Sequence, residues 1–99
     1  MPKKSYPTEF KQEAASLVLD QGYTRKAAAQ SMGVGLTALD RWIRQLREER
    51  DGQTPEKAKA ITPTQREIQT LRAQIARLER EKAILKKATA LLMSETSNL

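Results

Sequence analysis

A heptad repeat in the last third of this 99-residue chain constrains its fold more than any other sequence feature. Two sets of residues recur at intervals of seven and form positions a and d of the heptad: Ile68, Leu71, Ile75, Leu78, Lys82, Leu85, Thr89 and Leu92. A repeat of this kind places all of these side chains along one stripe of an α-helix. We therefore predict a helix over residues 64–93, about 45 Å long. The residues predicted to mediate oligomerisation are Ile68, Leu71, Ile75, Leu78, Lys82, Leu85 and Leu92.

This stripe favours a coiled coil between copies of the chain. Ile at a with Leu at d is typical of a parallel two-stranded coiled coil, and the stem of Lys82 can reach solvent from a dimer interface. In a parallel pair Glu67 would face Arg72, and Glu81 would face Lys86, so these flanking charges attract. The alternative is a single amphipathic helix packed on its own chain, but the N-terminal half offers no spare apolar face. We predict self-association as a parallel dimer, and a broader apolar stripe after residue 83 leaves a higher oligomer open.

The first 50 residues predict three shorter helices and no strand, so the expected fold class is all-α. Thr8 is the expected N-cap of the first helix, and Gly22 follows its end. The apolar face of this helix is formed by Phe10, Ala14, Leu17 and Val18. Thr24 is the expected N-cap of a second helix over 25–32, and Gly33 suits the left-handed residue that ends it. A third helix is expected from Leu36 to about residue 50.

The second and third helices fit the frame of a helix-turn-helix. Two helices that cross closely need a small residue within the first, which Ala29 provides, and a turn residue that tolerates positive φ, which Gly33 provides. Apolar residues occupy the positions that fix the crossing angle: Ala28, Met32, Val34, Leu39 and Trp42. A three-helix core with no role in DNA binding explains these apolar residues equally well, and Trp42 is expected in that core. The functional argument therefore depends on the opposite face of the third helix.

That opposite face carries side chains that can read DNA. Recognition helices read bases from their N-terminal part, where Arg pairs with guanine and Thr contacts a base edge or a thymine methyl group. Basic residues further along suit phosphates. The predicted DNA-binding residues are Arg25, Leu36, Thr37, Asp40, Arg41, Arg44 and Arg47. Because a charged face is often merely solvated, an oligomerisation adaptor whose N-terminal domain binds protein is the alternative from another class.

The composition of the chain favours one kind of partner and argues against several kinds of site. The chain has 18 Lys and Arg against 12 Asp and Glu, a net charge of +6, which favours a polyanionic partner. It contains no Cys and no His, so we expect no disulfide, no zinc site and no cofactor. Residues 33–38 match the dinucleotide-binding pattern G-x-G-x-x-A, but a predicted helix precedes Gly33 where that motif requires a strand. No apolar run approaches the roughly 18 residues of a membrane span, and we expect a cytoplasmic protein.

Residues 51–63, DGQTPEKAKAITP, predict a linker because they hold one Gly and two Pro without apolar periodicity. Thr62, Pro63 and Gln65 then have the form of a capping box at the start of the long helix. The expected organisation is a helix-turn-helix domain over 1–50, a linker over 51–63, a leucine-zipper coiled coil over 64–93 and a frayed tail over 94–99.

Three blocks of the chain resemble one known family: EFKQEAASLVLDQGYT, GVGLTALDRWIRQLREER and LEREKAILKKATALLMSE. The chain resembles OrfA, the upstream-frame protein of a large group of bacterial insertion sequences, over essentially its whole length. The resemblance implies an N-terminal helix-turn-helix that binds the double-stranded DNA of the element's terminal inverted repeats, and a leucine zipper. It also implies a role in regulating or assisting transposition.

The same resemblance implies a partner and the absence of a catalytic centre. In this family, ribosomal frameshifting yields a fused full-length transposase whose metal-dependent catalytic core lies in the downstream frame. A hetero-oligomer with that transposase is therefore expected, with no catalytic residue and no metal in this chain, in the cytoplasm of a bacterium and associated with its nucleoid. A transcriptional repressor with the same helix-turn-helix and zipper is the alternative within DNA binding.

Overall fold

The computed structural model describes the backbone of residues 5–97 and the side chains of residues 5–94. The described residues form four helices and no strand, which confirms the predicted all-α class. The helices are α1 (Thr8–Leu19), α2 (Arg25–Met32), α3 (Leu36–Arg50) and α4 (Pro63–Ser97). α4 runs past the expected end near residue 93, because no Gly or Pro follows to stop it before Ser97. Residues 98 and 99 of the expected frayed tail lie outside the described residues.

The chain divides into two compact units. The first extends to Glu67 and includes α1, α2, α3, the segment that follows them and the first turn of α4. The second begins at Ile68 and consists of the rest of α4.

Small residues let the three helices of the first unit approach closely. Four alanines are buried where α1 and α2 pack, and their lack of bulk permits short distances between the helix axes: Ala14, Ala15, Ala28 and Ala29. Trp42 is only 4% exposed. Its ring meets those of Tyr6 and Phe10 edge to face, with centroids 5.2 and 6.0 Å away. The expectation that Trp42 belongs to the core is confirmed, so this aromatic ring holds α3 against α1.

The connection between α2 and α3 has the geometry that the sequence predicts. Thr24 caps α2, and its hydroxyl accepts a hydrogen bond from the Ala27 N–H at 3.1 Å. Gly33 lies in the left-handed region with φ of 69°, and the Val34 N–H donates to the Ala29 carbonyl at 3.0 Å. Gly35 is the N-cap of α3. A tight turn therefore fixes the direction of α3 relative to α2.

The start of α1 differs from the prediction. The N-cap is Pro7, and Thr8 is already the first helical residue, with no side-chain cap. The Thr8 hydroxyl is buried and instead accepts a hydrogen bond from the Arg66 guanidinium at 2.7 Å, while Glu9 accepts another at 2.9 Å. The side chain of Thr8 is therefore used to hold the first turn of α4 and is not available to cap α1.

The segment predicted as a linker packs on α3. Ile61 is fully buried, and its N–H donates to the carboxylate of Glu49 at 2.8 Å. The N–H and the hydroxyl of Thr62 donate to the same carboxylate at 2.7 and 2.9 Å. Gln45 donates to Glu49 at 2.7 Å and to the Lys59 carbonyl at 2.8 Å. Residues 59–62 are thereby tied to α3.

The same contacts change the capping box at the start of α4. Thr62 accepts a hydrogen bond from the Gln65 N–H at 3.3 Å, as predicted. The reciprocal bond from the Thr62 N–H to Gln65 is absent, because Glu49 accepts that N–H and Gln65 accepts the hydroxyl of Thr54 instead. A carboxylate is the stronger acceptor, so Glu49 takes the place of Gln65 in the cap.

The second unit presents the predicted heptad stripe on an exposed helix. Leu71, Ile75 and Leu78 are 48, 55 and 56% exposed. Leu85 and Leu92 are also exposed, as is Lys82, whereas Ile68 is half-buried. No helix in the part of the chain that the structure describes is long and apolar enough to cross a membrane.

Candidate nucleic-acid interface

The apolar stripe of α3 determines which of its side chains face outward. Four apolar residues of this helix are buried in the core: Leu39, Trp42, Ile43 and Leu46. Because a helix repeats every 3.6 residues, Thr37, Arg41 and Arg44 share the opposite face, and all three are exposed. Arg47 is exposed beside them, whereas Leu36 packs partly against the core at the start of the helix.

Three exposed arginines lie on this face or at its edge. Arg41, Arg44 and Arg47 form no ion pair with any side chain of the described residues. Two acidic groups of the same unit pair with other arginines, Asp20 with Arg50 and Glu9 with Arg66. The outward face of α3 is therefore rich in arginines without ion-pair partners, with the half-buried Glu48 lining a groove beside Arg41 and Arg44.

Two of these ion pairs alter the ionisation of their members. Arg50 donates two hydrogen bonds to the two carboxylate oxygens of Asp20, at 2.8 and 2.6 Å. These bonds hold the pKa of Asp20 below its usual value and raise the pKa of Arg50. The hydrogen bond from Arg66 similarly lowers the pKa of Glu9. Both carboxylates thus form ion pairs that link separate segments of the folded chain.

One edge of α3 meets the start of α2. The Arg25 guanidinium lies 3.5 Å from the carboxylate of Asp40, and both side chains are partly exposed. Along this edge runs a shallow groove of about 330 Å³ whose charged lining consists of Arg25, Asp40, Arg44 and Arg47. Asp40 is therefore the one acidic side chain among these cations, and it holds Arg25 beside the outward face of α3.

The other edge of α3 carries cations that the sequence analysis missed. A groove of about 300 Å³ is lined there by Lys11 of α1, by Lys59 of the segment after α3 and by Arg41. Trp42, Gln45 and Ala58 complete its walls. These residues are far apart in the sequence, and no periodicity links them. The only signal in the sequence is that two lysines occur in the otherwise weakly patterned run EKAKA.

The seven residues predicted to bind DNA thus fall into three groups. Thr37, Arg41 and Arg44 come together on the outward face of α3. Arg25, Asp40 and Arg47 line one edge of that face. Leu36 stands apart, because its side chain packs against the core.

Comparison with known proteins places the chain in a family. Residues 1–76 match the family model HTH_Tnp_1, described as "Transposase". The chain is 54% identical to InsN of insertion sequence element IS911A from Escherichia coli K12 over 89 residues, which cover 90% of this chain and 66% of that protein. It is 52% identical to InsN of IS911B from the same strain over 87 residues, 88% of this chain and 98% of that protein.

A third relative is more distant. YkgN of E. coli K12 is 34% identical over 88 residues, which cover 89% of this chain and 74% of that protein. The names of all three relatives describe transposases, and the chain spans slightly less than two thirds of the first of them. No solved structure matches the chain. Taken with the turn geometry and the outward arginines of α3, these matches mean that the chain belongs to the helix-turn-helix transposase family of insertion-sequence proteins.

Proposed function

We propose that this protein is a non-catalytic subunit of a transposition system. It binds the terminal inverted repeats of its insertion element in the bacterial cytoplasm, and it regulates or assists transposition as an oligomer. The observation that carries this proposal is the outward face of α3, where Arg41, Arg44 and Arg47 are exposed without ion-pair partners among the described residues. The turn at Gly33 holds that face in a fixed direction.

The arrangement suggests how DNA is read. α3 enters the major groove, whose width admits one α-helix. Thr37, Arg41 and Arg44 then reach base edges from the N-terminal half of the helix, whereas Arg47 meets a phosphate. Arg25 begins α2, so its side chain approaches the backbone together with the helix N-terminus, which attracts anions. Asp40 can accept a hydrogen bond from the amino group of a cytosine.

The proposed absence of catalysis is supported by the structural use of the acidic groups. The Glu49 carboxylate is 4% exposed and is held by four donors from the backbone and side chains of residues 45–62. Asp20, Glu9 and Asp40 each face an arginine. Carboxylates that bind catalytic metal ions must instead converge on a common point. The catalytic step is therefore assigned to a different polypeptide.

Self-association is proposed to occur through the heptad stripe of α4. Leu71, Ile75, Leu78 and Leu85 are all about half exposed or more in the single chain. Burial of a leucine or isoleucine side chain stabilises an assembly by about 1.5–3 kcal/mol, so four such residues per chain provide a strong driving force. A longer protein that carries the same helix could pair with this stripe as well. We therefore also propose a hetero-oligomer with the full-length transposase.

The test of DNA reading compares Arg44→Ala with the native chain. The probe is a labelled duplex carrying the terminal repeat of the element, followed by fluorescence anisotropy at fixed salt. Loss of one good base contact should weaken binding by ~1–3 kcal/mol. Arg77→Ala, which removes an exposed arginine from α4, is the control for lost charge and should bind like the native chain. Equal affinity of Arg44→Ala and the native chain would contradict the proposed role of α3.

A further inference from the structure

We propose that Lys11 and Lys59 form a second phosphate-binding site for duplex DNA, on the edge of α3 opposite Arg25. With this site, the protein would hold both backbones that border the major groove around its recognition helix. The proposal rests on the proposed function, because it assumes that α3 enters that groove, and it adds two DNA-contacting residues that lie outside the helix-turn-helix.

The two edges of α3 are distinguished by which of its residues line them. Asp40, Arg44 and Arg47 line the groove that also contains Arg25. Arg41 and Gln45 line the groove that also contains Lys11 and Lys59. On a helix with 3.6 residues per turn these two sets lie on either side of the outward face. A helix in the major groove has one strand's backbone along each side, so each groove is positioned to meet a different strand.

The position of Lys59 is fixed by its backbone. Gln45 on α3 donates a hydrogen bond to the Lys59 carbonyl at 2.8 Å. Two residues later, Ile61 is fully buried, and its N–H is bound by the buried carboxylate of Glu49. A lysine on a mobile linker would lose much conformational freedom on binding DNA. Because the backbone of Lys59 is already ordered in the folded chain, only its side chain has to lose conformational freedom on binding DNA.

The charges in this groove favour an anionic ligand. Its walls hold three cations and no carboxylate: Lys11, Arg41 and Lys59. Within the described part of the chain, none of the three forms an ion pair. An acidic side chain, Glu48, lines the adjoining groove with Arg41 and Arg44. Like charges that share a groove repel one another, and a phosphate placed among them relieves that repulsion.

The experiment measures how the binding constant depends on salt for Lys11→Gln, Lys59→Gln and the double variant. Each phosphate neutralised by the protein contributes about 0.9 to the slope of log K against log salt. The double variant should therefore show a slope shallower by about 0.9, with affinity about fivefold lower at physiological salt. The loss should be the same on a terminal-repeat duplex and on a scrambled duplex, because phosphates carry no sequence information.

Lys57→Gln is the matched control. Lys57 lies in the same segment and carries the same charge, but it does not line the groove. It should keep the native slope, and Lys59→Arg should restore the slope that Lys59→Gln loses. Thermal melting of each variant, followed by circular dichroism, checks that these exposed or half-exposed positions leave the fold intact.

A neutral methylphosphonate placed at single backbone positions locates the contact. The native chain should be sensitive to such a replacement on both strands that border the recognition helix, and the double variant should lose the sensitivity on one strand only.

Native slopes of log K against log salt in the lysine variants, or an equal loss of slope in Lys57→Gln, would overturn the second site. If Arg44→Ala were still weakened in that case, DNA reading by α3 would stand. A native chain without salt-dependent binding would overturn both proposals.

Discussion

Glu49 is the residue that joins the end of the helix-turn-helix to the start of α4. Its carboxylate is buried and accepts hydrogen bonds from the backbone N–H groups of Ile61 and Thr62 and from the Thr62 hydroxyl. A buried carboxylate is stable only when its oxygens are fully bonded, and a buried N–H is costly when left without an acceptor. The interaction therefore stabilises the fold in two ways: it satisfies the oxygens of the buried carboxylate, and it gives the buried N–H groups an acceptor.

Replacement of Glu49 by Ala should lower the free energy of unfolding by about 1–3 kcal/mol, because it leaves buried N–H groups without an acceptor. Urea denaturation at one fixed protein concentration measures this change, since association also contributes to stability. The neighbouring and more exposed Glu48 provides the control, and Glu48→Ala should change stability by less than about 0.5 kcal/mol. Equal stabilities of the two variants would refute the role of Glu49.

The pair formed by Asp20 and Arg50 predicts a pH dependence. The hydrogen bonds from Arg50 lower the pKa of Asp20 in the folded state. A carboxylate whose folded pKa is depressed contributes stability above its unfolded pKa, and it loses that contribution as pH falls through the folded pKa. Asp20→Asn should therefore be less stable than the native chain at neutral pH, and the difference should shrink below about pH 4.

Thermal melting across this pH range makes the measurement. Glu13→Gln is the control, because Glu13 is exposed on α1, which Asp20 follows as the C-cap, and forms no ion pair among the described side chains. A difference between native and Asp20→Asn that stayed constant from neutral to acid pH would show that the ion pair with Arg50 is not its source.

At the scale of helices, the turn between α2 and α3 and the start of α4 show what the sequence could predict. The cap at Thr24 and the turn at Gly33 can be predicted from local chemistry, because the residues that decide each feature lie within a few positions. The contacts of Glu49 with Ile61 and Thr62 join residues 12 and 13 positions apart, through a segment without periodicity. Local patterns carry no signal for a contact of that kind.

The residues of the candidate site likewise differ in whether the sequence predicts their placement. The outward residues of α3 follow from helical periodicity alone, so their placement on one face could be predicted. Lys11 and Lys59 reach the edge of α3 only through tertiary packing, and the sequence gives no register that relates them to Arg41. The prediction of Thr8 as a cap is wrong for a similar reason, because its partner Arg66 is 58 residues away.

Gly33 provides a direct test of the turn. Its φ of 69° lies in the left-handed region, and a Cβ added there would meet no atom within 4 Å. Gly33→Ala should therefore cost about 1–2 kcal/mol of stability from backbone strain alone. Gly33→Asn should cost less, because Asn tolerates this conformation. Chemical denaturation of both variants makes the comparison, and an Ala variant as stable as the native chain would contradict the turn geometry.

The heptad stripe of α4 predicts a position-dependent effect on assembly. Leu78→Ala should weaken self-association by at least ~2 kcal/mol, roughly a thirtyfold rise in the dissociation constant, because a leucine is lost from the interface. Arg80→Ala changes the side of the helix away from the stripe and should leave association unchanged. Sedimentation equilibrium measures both, and a native chain that stays monomeric at all concentrations would rule out the zipper.

At the scale of the whole molecule, two compact units carry the two proposed activities. The first holds the outward face of α3, where cations stand without ion-pair partners among the described residues, and the second holds the exposed apolar stripe of α4. An oligomer that presents several recognition helices can contact several stretches of DNA at once, which raises its overall affinity without any new contact. In the proposed oligomer, self-association through the second unit would thus raise the affinity with which the first unit binds DNA.

The central claim is that the native chain recognises the ends of its insertion element by sequence. The most direct measurement is a competition between a duplex carrying the terminal inverted repeat and a scrambled duplex of the same length and composition, at physiological salt. Specific binding is typically at least about a thousandfold tighter than non-specific binding, and we predict a preference of that order for the repeat. Equal competition by the two duplexes would contradict the claim.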